Sequence, residues 1–256
     1  MKKYDTIDVR IEQSVCFVRF NRAARGNTIN ARLIEECLNV LDTSPDGVTV
    51  LVFEGSPEVF CLGADFDEIG ATVAGNGTGG SAGPIYDLWD TMTRAPYVCI
   101  SHVRGRANAG GMGFIAASDI VLADEGAQFS LSEMLFGLFP ACVLPFLIRR
   151  VGFQRAHYLT LTTQPISSAQ ALAWGLVDAS AAQSEPLLRR HLTRLRVLSK
   201  KAIRRYKQYS SRLRPVGERE MALAANREVF SDPANLEAIV KYTNTGTLPW
   251  DQPQVR

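Results

Sequence analysis

The chain has 256 residues, 46% hydrophobic and 21% charged, with a formal net charge of +2. That supplies apolar matter for one large core, and the balance of charge excludes a disordered chain and a protein dominated by nucleic-acid electrostatics. Cys16, Cys37, Cys61, Cys99 and Cys142 stand in apolar contexts without a C-x-x-C pair, and His102, His157 and His191 are widely separated. Reduced core thiols and no metal are therefore expected. The first residues lead into no apolar run of signal or membrane length, so the expected location is the cytoplasm, with no membrane partner.

Residues 7–10 and 15–20 have the β-branched character of strands, and the polar Gln13-Ser14 break between them predicts a hairpin. Residues 30–41 repeat apolar positions at helical spacing behind Asn30, a fitting N-cap. A continuous apolar strand follows at 48–53. The order strand, loop, helix recurs with a strand at 97–103, a helix from Gly110 and a strand at 120–123. This implies an α/β protein made of stacked ββα turns.

The Gly-, Ala-, Ser- and Thr-rich stretch 70–83 predicts a mobile loop. Its Gly75-Asn76-Gly77-Thr78-Gly79-Gly80 and Gly79-Gly80-Ser81-Ala82-Gly83 imitate dinucleotide and nucleophile-elbow motifs, but neither follows a strand, and both are rejected. Helices are expected at 143–151, 155–162, 168–174, 187–198, 200–211 and 218–230, with one more opened by Asp232-Pro233. Residues 1–190 are assigned to the core and 191–256 to a C-terminal helical region of the same functional unit.

Two small-residue segments carry the chemistry. Phe60-Cys61-Leu62-Gly63-Ala64-Asp65-Phe66 is answered by Gly105-Arg106-Ala107-Asn108-Ala109-Gly110-Gly111-Met112-Gly113. Without bulky side chains a ligand can approach the backbone, and the second segment opens a helix whose free N–H groups attract negative charge. Together they read as a split anion-binding site, of the kind an enolate-forming enzyme needs.

These segments, with Asn21-Arg22 and Asn27 before them and Ser118-Asp119-Ile120, Ala127-Gln128-Phe129, Glu133, Gly137, Pro140 and Trp174-Gly175-Leu176-Val177 after them, resemble the crotonase, or enoyl-CoA hydratase/isomerase, family. The resemblance implies a spiral core and C-terminal helices that cover the acyl pocket and build a homotrimer or a dimer of trimers. It places an oxyanion hole at the N–H groups of Ala64 and Gly110, with Gly111 and Gly113 in the same substrate-binding segment. Glu133 matches one of the two hydratase glutamates. An apolar pocket would raise its pKa and suit it to proton transfer, while Ser130-x-x-Glu133 also reads as a capping box.

The other hydratase glutamate falls at Gly113, so simple hydration is not the expected reaction. Asp65 is the nearest second carboxylate, either catalytic or bonded to loop backbone. Tyr86 and Asn108 are candidate substrate-binding residues whose other roles would be packing and capping. The bulky run 135–146 would shorten the acyl pocket. With it, the chain is similar to the dehydrating crotonases of polyketide β-branching, which convert 3-hydroxy-3-methylglutaryl to 3-methylglutaconyl groups on an acyl carrier protein. No cofactor is implied, because the phosphopantetheine arm arrives with the substrate.

Residues 186–217 contain no acidic residue, yet hold Arg189, Arg190, Arg194, Lys201, Arg204, Arg205 and Lys207, which would suit an acidic carrier protein. Coenzyme A phosphates or plain solvation would use the same charges, and a nucleic-acid partner is not expected. Three further readings stay open: the decarboxylase of the same cassette, a CoA-linked enoyl hydratase/isomerase, and a catalytically idle trimeric scaffold that binds the carrier protein.

Overall fold

The computed structural model describes residues 3–68, 82–213, 215 and 217–248. Strands β1 (Ile7–Glu12) and β2 (Val15–Phe20) form the expected hairpin, turned by Gln13 at φ 57°. Parallel pairing then adds β3 (Val50–Glu54), β5 (Val98–Val103), β7 (Ile120–Asp124) and β10 (Ala179–Ala181). A second sheet holds β4 (Val59–Cys61), β6 (Arg106–Asn108), β8 (Gln128–Ser130) and β9 (Ile166–Ser167).

From β3 to β8 successive strands alternate between the sheets; helix α1 (Ala31–Thr43) joins β2 to β3, and helices α2 (Gly83–Arg94) and α3 (Gly110–Ala117) return the chain from the second sheet to the first. This is the ββα spiral. Asn30 caps α1 by accepting a hydrogen bond from the Leu33 N–H at 2.9 Å. The mobile-loop expectation at 70–83 and its two rejected motifs fall almost wholly outside the described residues; Gly83 itself opens α2.

Every residue of β3 is buried, because both faces of the larger sheet are covered. Leu51 and Phe53 face the main core, while Val50 and Val52 join Val15, Phe17, Ile100 and Leu122 in a second cluster. Helix α7 (Glu185–Leu195) closes that second face with Leu188 and Leu192. The expected boundary at residue 190 thus lies inside a helix that completes the sheet. All five cysteines are free and buried.

The chain after residue 144 is mostly helical: α4 (Leu144–Val151), α5 (Phe153–Thr162), α6 (Ser168–Ala173), α7, α8 (Lys200–Ser211), α9 (Glu218–Ser231) and α10 (Pro233–Thr245). It also contributes β9 and β10, short strands that join sheets already formed. No periodic signal marks strands this short. Helices α9 and α10 fold back onto their own chain, where Val229 and Ile239 pack with Phe136 and Leu138, and Tyr242 stands against Phe136 at 5.3 Å. Among the described residues no helix is long and apolar enough to cross a membrane.

One basic residue is not where its neighbours put it. Lys207, expected on the charged face of α8, is 3% exposed and donates to the carbonyls of Met92 and Tyr97 at 2.8 Å and to Asp119 at 2.6 Å. It clamps α8 onto the end of α2 and the start of β5. Lys207→Met is expected to lower stability by about 2–3 kcal/mol in denaturant unfolding, since two buried acceptors and a partly hydrated carboxylate lose their cation together.

Candidate active site

Two backbone donors meet where the first small-residue segment crosses the start of α3. Ala64 forms an isolated parallel bridge with Ile29, in which the Ile29 N–H donates to Gly63 O at 2.7 Å and the Asp65 N–H to Ile29 O at 2.9 Å. The Ala64 N–H takes no part. Gly110 is the first residue of α3, so its N–H has no helical partner. Neither N–H finds an acceptor among the described residues.

They stand side by side. A Cβ added to Gly110 would lie 3.7 Å from the Ala64 nitrogen, and one on Gly63 would lie 3.1 Å from the Gly110 nitrogen. Gly63 has φ +98°, and Ala109 is held at φ 48°, ψ −123° immediately before Gly110. Such a conformation costs a non-glycine residue about 1–3 kcal/mol and persists only where the surroundings impose it. Here it turns the chain so that α3 begins with its amide uncommitted, and the helix end adds positive potential.

Asp65 is the neighbour of this hole, and its carboxylate is already in use. It pairs with Arg22 at 2.6 Å, accepts from Thr28 Oγ1 at 3.2 Å and from the Asp67 N–H at 3.2 Å. Burial pushes its pKa up, but Arg22 and Thr28 outweigh that and hold it below the usual carboxylate range. Arg22 also donates to the Thr28 carbonyl. An ionised, fully engaged carboxylate makes a poor proton carrier. Of the two readings of Asp65, these contacts favour the loop role: they pin the segment that presents Ala64. Asn27, fully buried, fastens the same loop by donating to Val59 O at 3.0 Å.

Glu133 heads a short 3₁₀ turn (Glu133–Phe136) that ends at Gly137 with φ 73°. The capping box expected from Ser130 does not form. Ser130 lies in β8 and donates to Asn108 Oδ1 at 2.8 Å, while Asn108 Nδ2 donates to Ser132 Oγ at 2.8 Å. Asn108 thus ties the strand entering the Ala64–Gly110 donor pair to the residue preceding Glu133. The residue Glu133 keeps partial exposure, but its Oε2 is buried and has no hydrogen-bond partner. Burial pushes its pKa up to about 7, against weaker opposition from the Glu133 and Ser132 backbone N–H groups.

The remaining sequence candidates are Gly111, Gly113 and Tyr86. A Cβ on Gly111 would fall 2.2 Å from Cys61 O, so glycine there lets α3 pack on β4. Gly113 is buried under the Trp89 indole, which a Cβ would meet at 2.2 Å. Tyr86 is buried with its ring 5.1 Å from Phe146, and burial, then Glu218 and Asp90, push its phenol to about 12, keeping the hydroxyl neutral. Arg22 and Trp89 were missed as site residues: their roles rest on partners distant in sequence. Among the described residues no cluster of His, Cys, Asp and Glu could hold a metal ion.

Comparisons with known proteins show the family and the fold. The Enoyl-CoA hydratase/isomerase family matches residues 10–253. The chain is 55% identical over 252 residues to the bacillaene synthase dehydratase PksH of Bacillus subtilis, covering 97% of both chains. A crystal structure of PksH superposes with a TM-score of 0.92, covering 96% of this chain and 100% of that one. Methylmalonyl CoA decarboxylase shares the fold, with a TM-score of 0.81 at 19% identity and coverage of 97% and 98%.

Two substitutions separate the carboxylates. Asp65→Asn is expected to lower unfolding free energy by about 3 kcal/mol, because it leaves the Arg22 guanidinium without its counter-charge. Glu133→Gln should do the opposite at alkaline pH. The folded pKa of about 7 exceeds the unfolded value near 4.5, so ionisation of Glu133 removes stability as pH rises through that interval. The variant should therefore match wild type below pH 4.5 and exceed it by about 3 kcal/mol at pH 8, measured by urea titration at both pH values.

Proposed function

The chain belongs to the enoyl-CoA hydratase/isomerase family, and on that premise we propose that it is a dehydratase of polyketide biosynthesis acting on a 3-hydroxy-3-methylglutaryl group carried by an acyl carrier protein. The observation that carries the reading is the Glu133 carboxyl, whose Oε2 is buried without a hydrogen-bond partner and whose pKa is pushed up to about 7, on the segment tied through Asn108 to the strand entering a pair of uncommitted backbone donors. One carboxyl group suffices for a syn elimination.

Glu133 as carboxylate takes the C2 proton, and the electron pair moves onto the thioester oxygen, which accepts hydrogen bonds from the Ala64 and Gly110 N–H groups. The enolate then collapses to the C2=C3 double bond. The C3–O bond breaks, its electron pair stays on oxygen, and Glu133 returns the proton so that water leaves. The carboxylate is regenerated. Each oxyanion donor of this kind contributes about 3–4 kcal/mol to the transition state, and a positioned acid–base group about 10²–10⁴ in rate.

Several features favour this over the neighbouring chemistries. Two-carboxylate hydration finds no second carboxylate at the two expected positions, since Gly113 is filled over by Trp89 and Asp65 is paired with Arg22. Decarboxylation needs no base, whereas Glu133 is poised as one. An idle scaffold would have no reason to keep a strained Ala109 and a buried unpaired carboxylate.

The substrate brings its own phosphopantetheine arm, so no separate cofactor is needed. Exposed Arg189, Arg190, Arg194, Lys201, Arg204 and Arg205 suit an acidic carrier protein. Exposed Phe153, Tyr158, Leu161 and Leu172 suit cover by further copies in a trimer or a dimer of trimers, and the reaction belongs in the cytoplasm.

Mass spectrometry of the carrier's phosphopantetheine arm tests the reading. Wild type is expected to remove one water from the 3-hydroxy-3-methylglutaryl carrier, and Glu133→Gln to slow this by about 10²-fold or more. An unchanged substrate, together with loss of carbon dioxide from the 3-methylglutaconyl carrier, would assign the decarboxylase. For the free enzyme, kcat/KM should rise with pH to a plateau above about 7, where Glu133 has become the carboxylate that the first step requires.

A further inference from the structure

Among the described residues, the buried side-chain polar atoms without a hydrogen-bond partner are Thr49 Oγ1, Trp89 Nε1, His102 Nδ1, Arg104 Nε and Glu133 Oε2. Arg104 spends another nitrogen on Gly55 O, and His102 spends its other nitrogen on Ser184. Thr49 lies at the entry to β3. Glu133 is the proton carrier proposed above. That leaves the indole N–H of Trp89, a buried donor that folding has stripped of water and given nothing in return.

Its position gives that donor a use. A Cβ on Gly113 would meet Trp89 Cζ2 at 2.2 Å, Cε2 at 2.4 Å and Cη2 at 2.5 Å. Cε2 is the ring carbon bonded to Nε1. Because the Cα–Cβ direction in a helix tilts toward its N-terminus, this edge of the indole lies over the first turn of α3, the turn that Gly110 opens. Phe114 and Phe146 hold the ring edge-on at 6.2 and 6.0 Å, and the residue is 1% exposed. Any side chain at Gly113 would displace it.

We propose that the Trp89 indole N–H donates a hydrogen bond to the departing 3-hydroxyl oxygen of the substrate, a proposal that rests on the dehydratase reading. The thioester oxygen already has the Ala64 and Gly110 N–H groups, and Glu133 handles the proton. The leaving oxygen is the other atom on which negative charge grows as C3–O breaks. An indole N–H is suited to it because it is a donor only. It steadies the oxygen and keeps its own proton while Glu133 supplies the one that completes water.

Trp89→Phe keeps the ring and removes the donor. The expected result is a kcat for dehydration lower by about tenfold or more with KM changed less than about twofold. A purely packing role would lower the melting temperature and leave the indole N–H signal unmoved by substrate. Independently of that variant, the Trp89 indole ¹H–¹⁵N cross-peak, assigned by elimination with Trp174→Phe and Trp250→Phe, should shift when the 3-hydroxy-3-methylglutaryl carrier is added to Glu133→Gln protein. A wild-type kcat in Trp89→Phe, or an unmoved cross-peak, overturns the proposal while leaving the dehydratase in place. A wild-type protein that leaves the carrier unchanged removes the dehydratase reading, and the proposal with it.

Discussion

Two backbone N–H groups held side by side and bonded to nothing are the constraint on which the site depends. Water or a carbonyl would satisfy either at once, so the fold has to hold Ala64 and Gly110 where no protein acceptor reaches them. The loop before α1 does this from one side, through the Ile29 bridge and the buried Arg22–Asp65 pair. The turn at Ala109 does it from the other. Close approach is possible because Gly63 and Gly111 present no Cβ to Ala109 and to the Cys61 carbonyl. A buried ion pair contributes little net stability against an apolar replacement, but it fixes a geometry, and geometry is what the donors require.

Glu133 is the counterpart of this arrangement. Its neighbourhood could have supplied a partner: Ser130 and Ser132 both carry hydroxyls, but Ser130 donates to Asn108 and Ser132 accepts from it, and neither bonds Glu133 Oε2. The carboxyl is left with an unpaired oxygen in an apolar setting, which disfavours its charge and brings its pKa to about 7. Asp65 shows what the same residue chemistry becomes with a guanidinium beside it: ionised, low in pKa and structural. Two carboxylates in one region are thus driven apart by environment, and only one is left free to carry a proton.

The C-terminal helices belong to this design. Helix α10 packs on the turn that carries Glu133, with Asn235 donating to Gly137 O at 3.2 Å and Tyr242 and Phe66 stacked about Phe136. The segment after the spiral therefore braces the turn that carries Glu133 within one chain.

Much was legible in the sequence. Alternation and helical periodicity are local, and they marked the β1–β2 hairpin, α1 with its Asn30 cap, the strands β3, β5 and β7, and the C-terminal helices to within a few residues. The two small-residue segments and Glu133 were equally visible, since glycine where backbones must approach is a requirement written at the position itself. What the sequence left open is pairing across distance. Whether Asp65 would be a base or a brace depended on Arg22; whether Ser130 would cap Glu133 depended on Asn108. Lys207 read as one more surface charge until α8 was laid on α2, and nothing in the sequence places Trp89 over Gly113. The short strands β9 and β10 exist because sheet edges were waiting for them. Local pattern fixes which element a residue joins, because that is decided by its near neighbours; the protonation state and duty of a polar side chain are decided by whichever groups the tertiary fold brings within hydrogen-bonding reach.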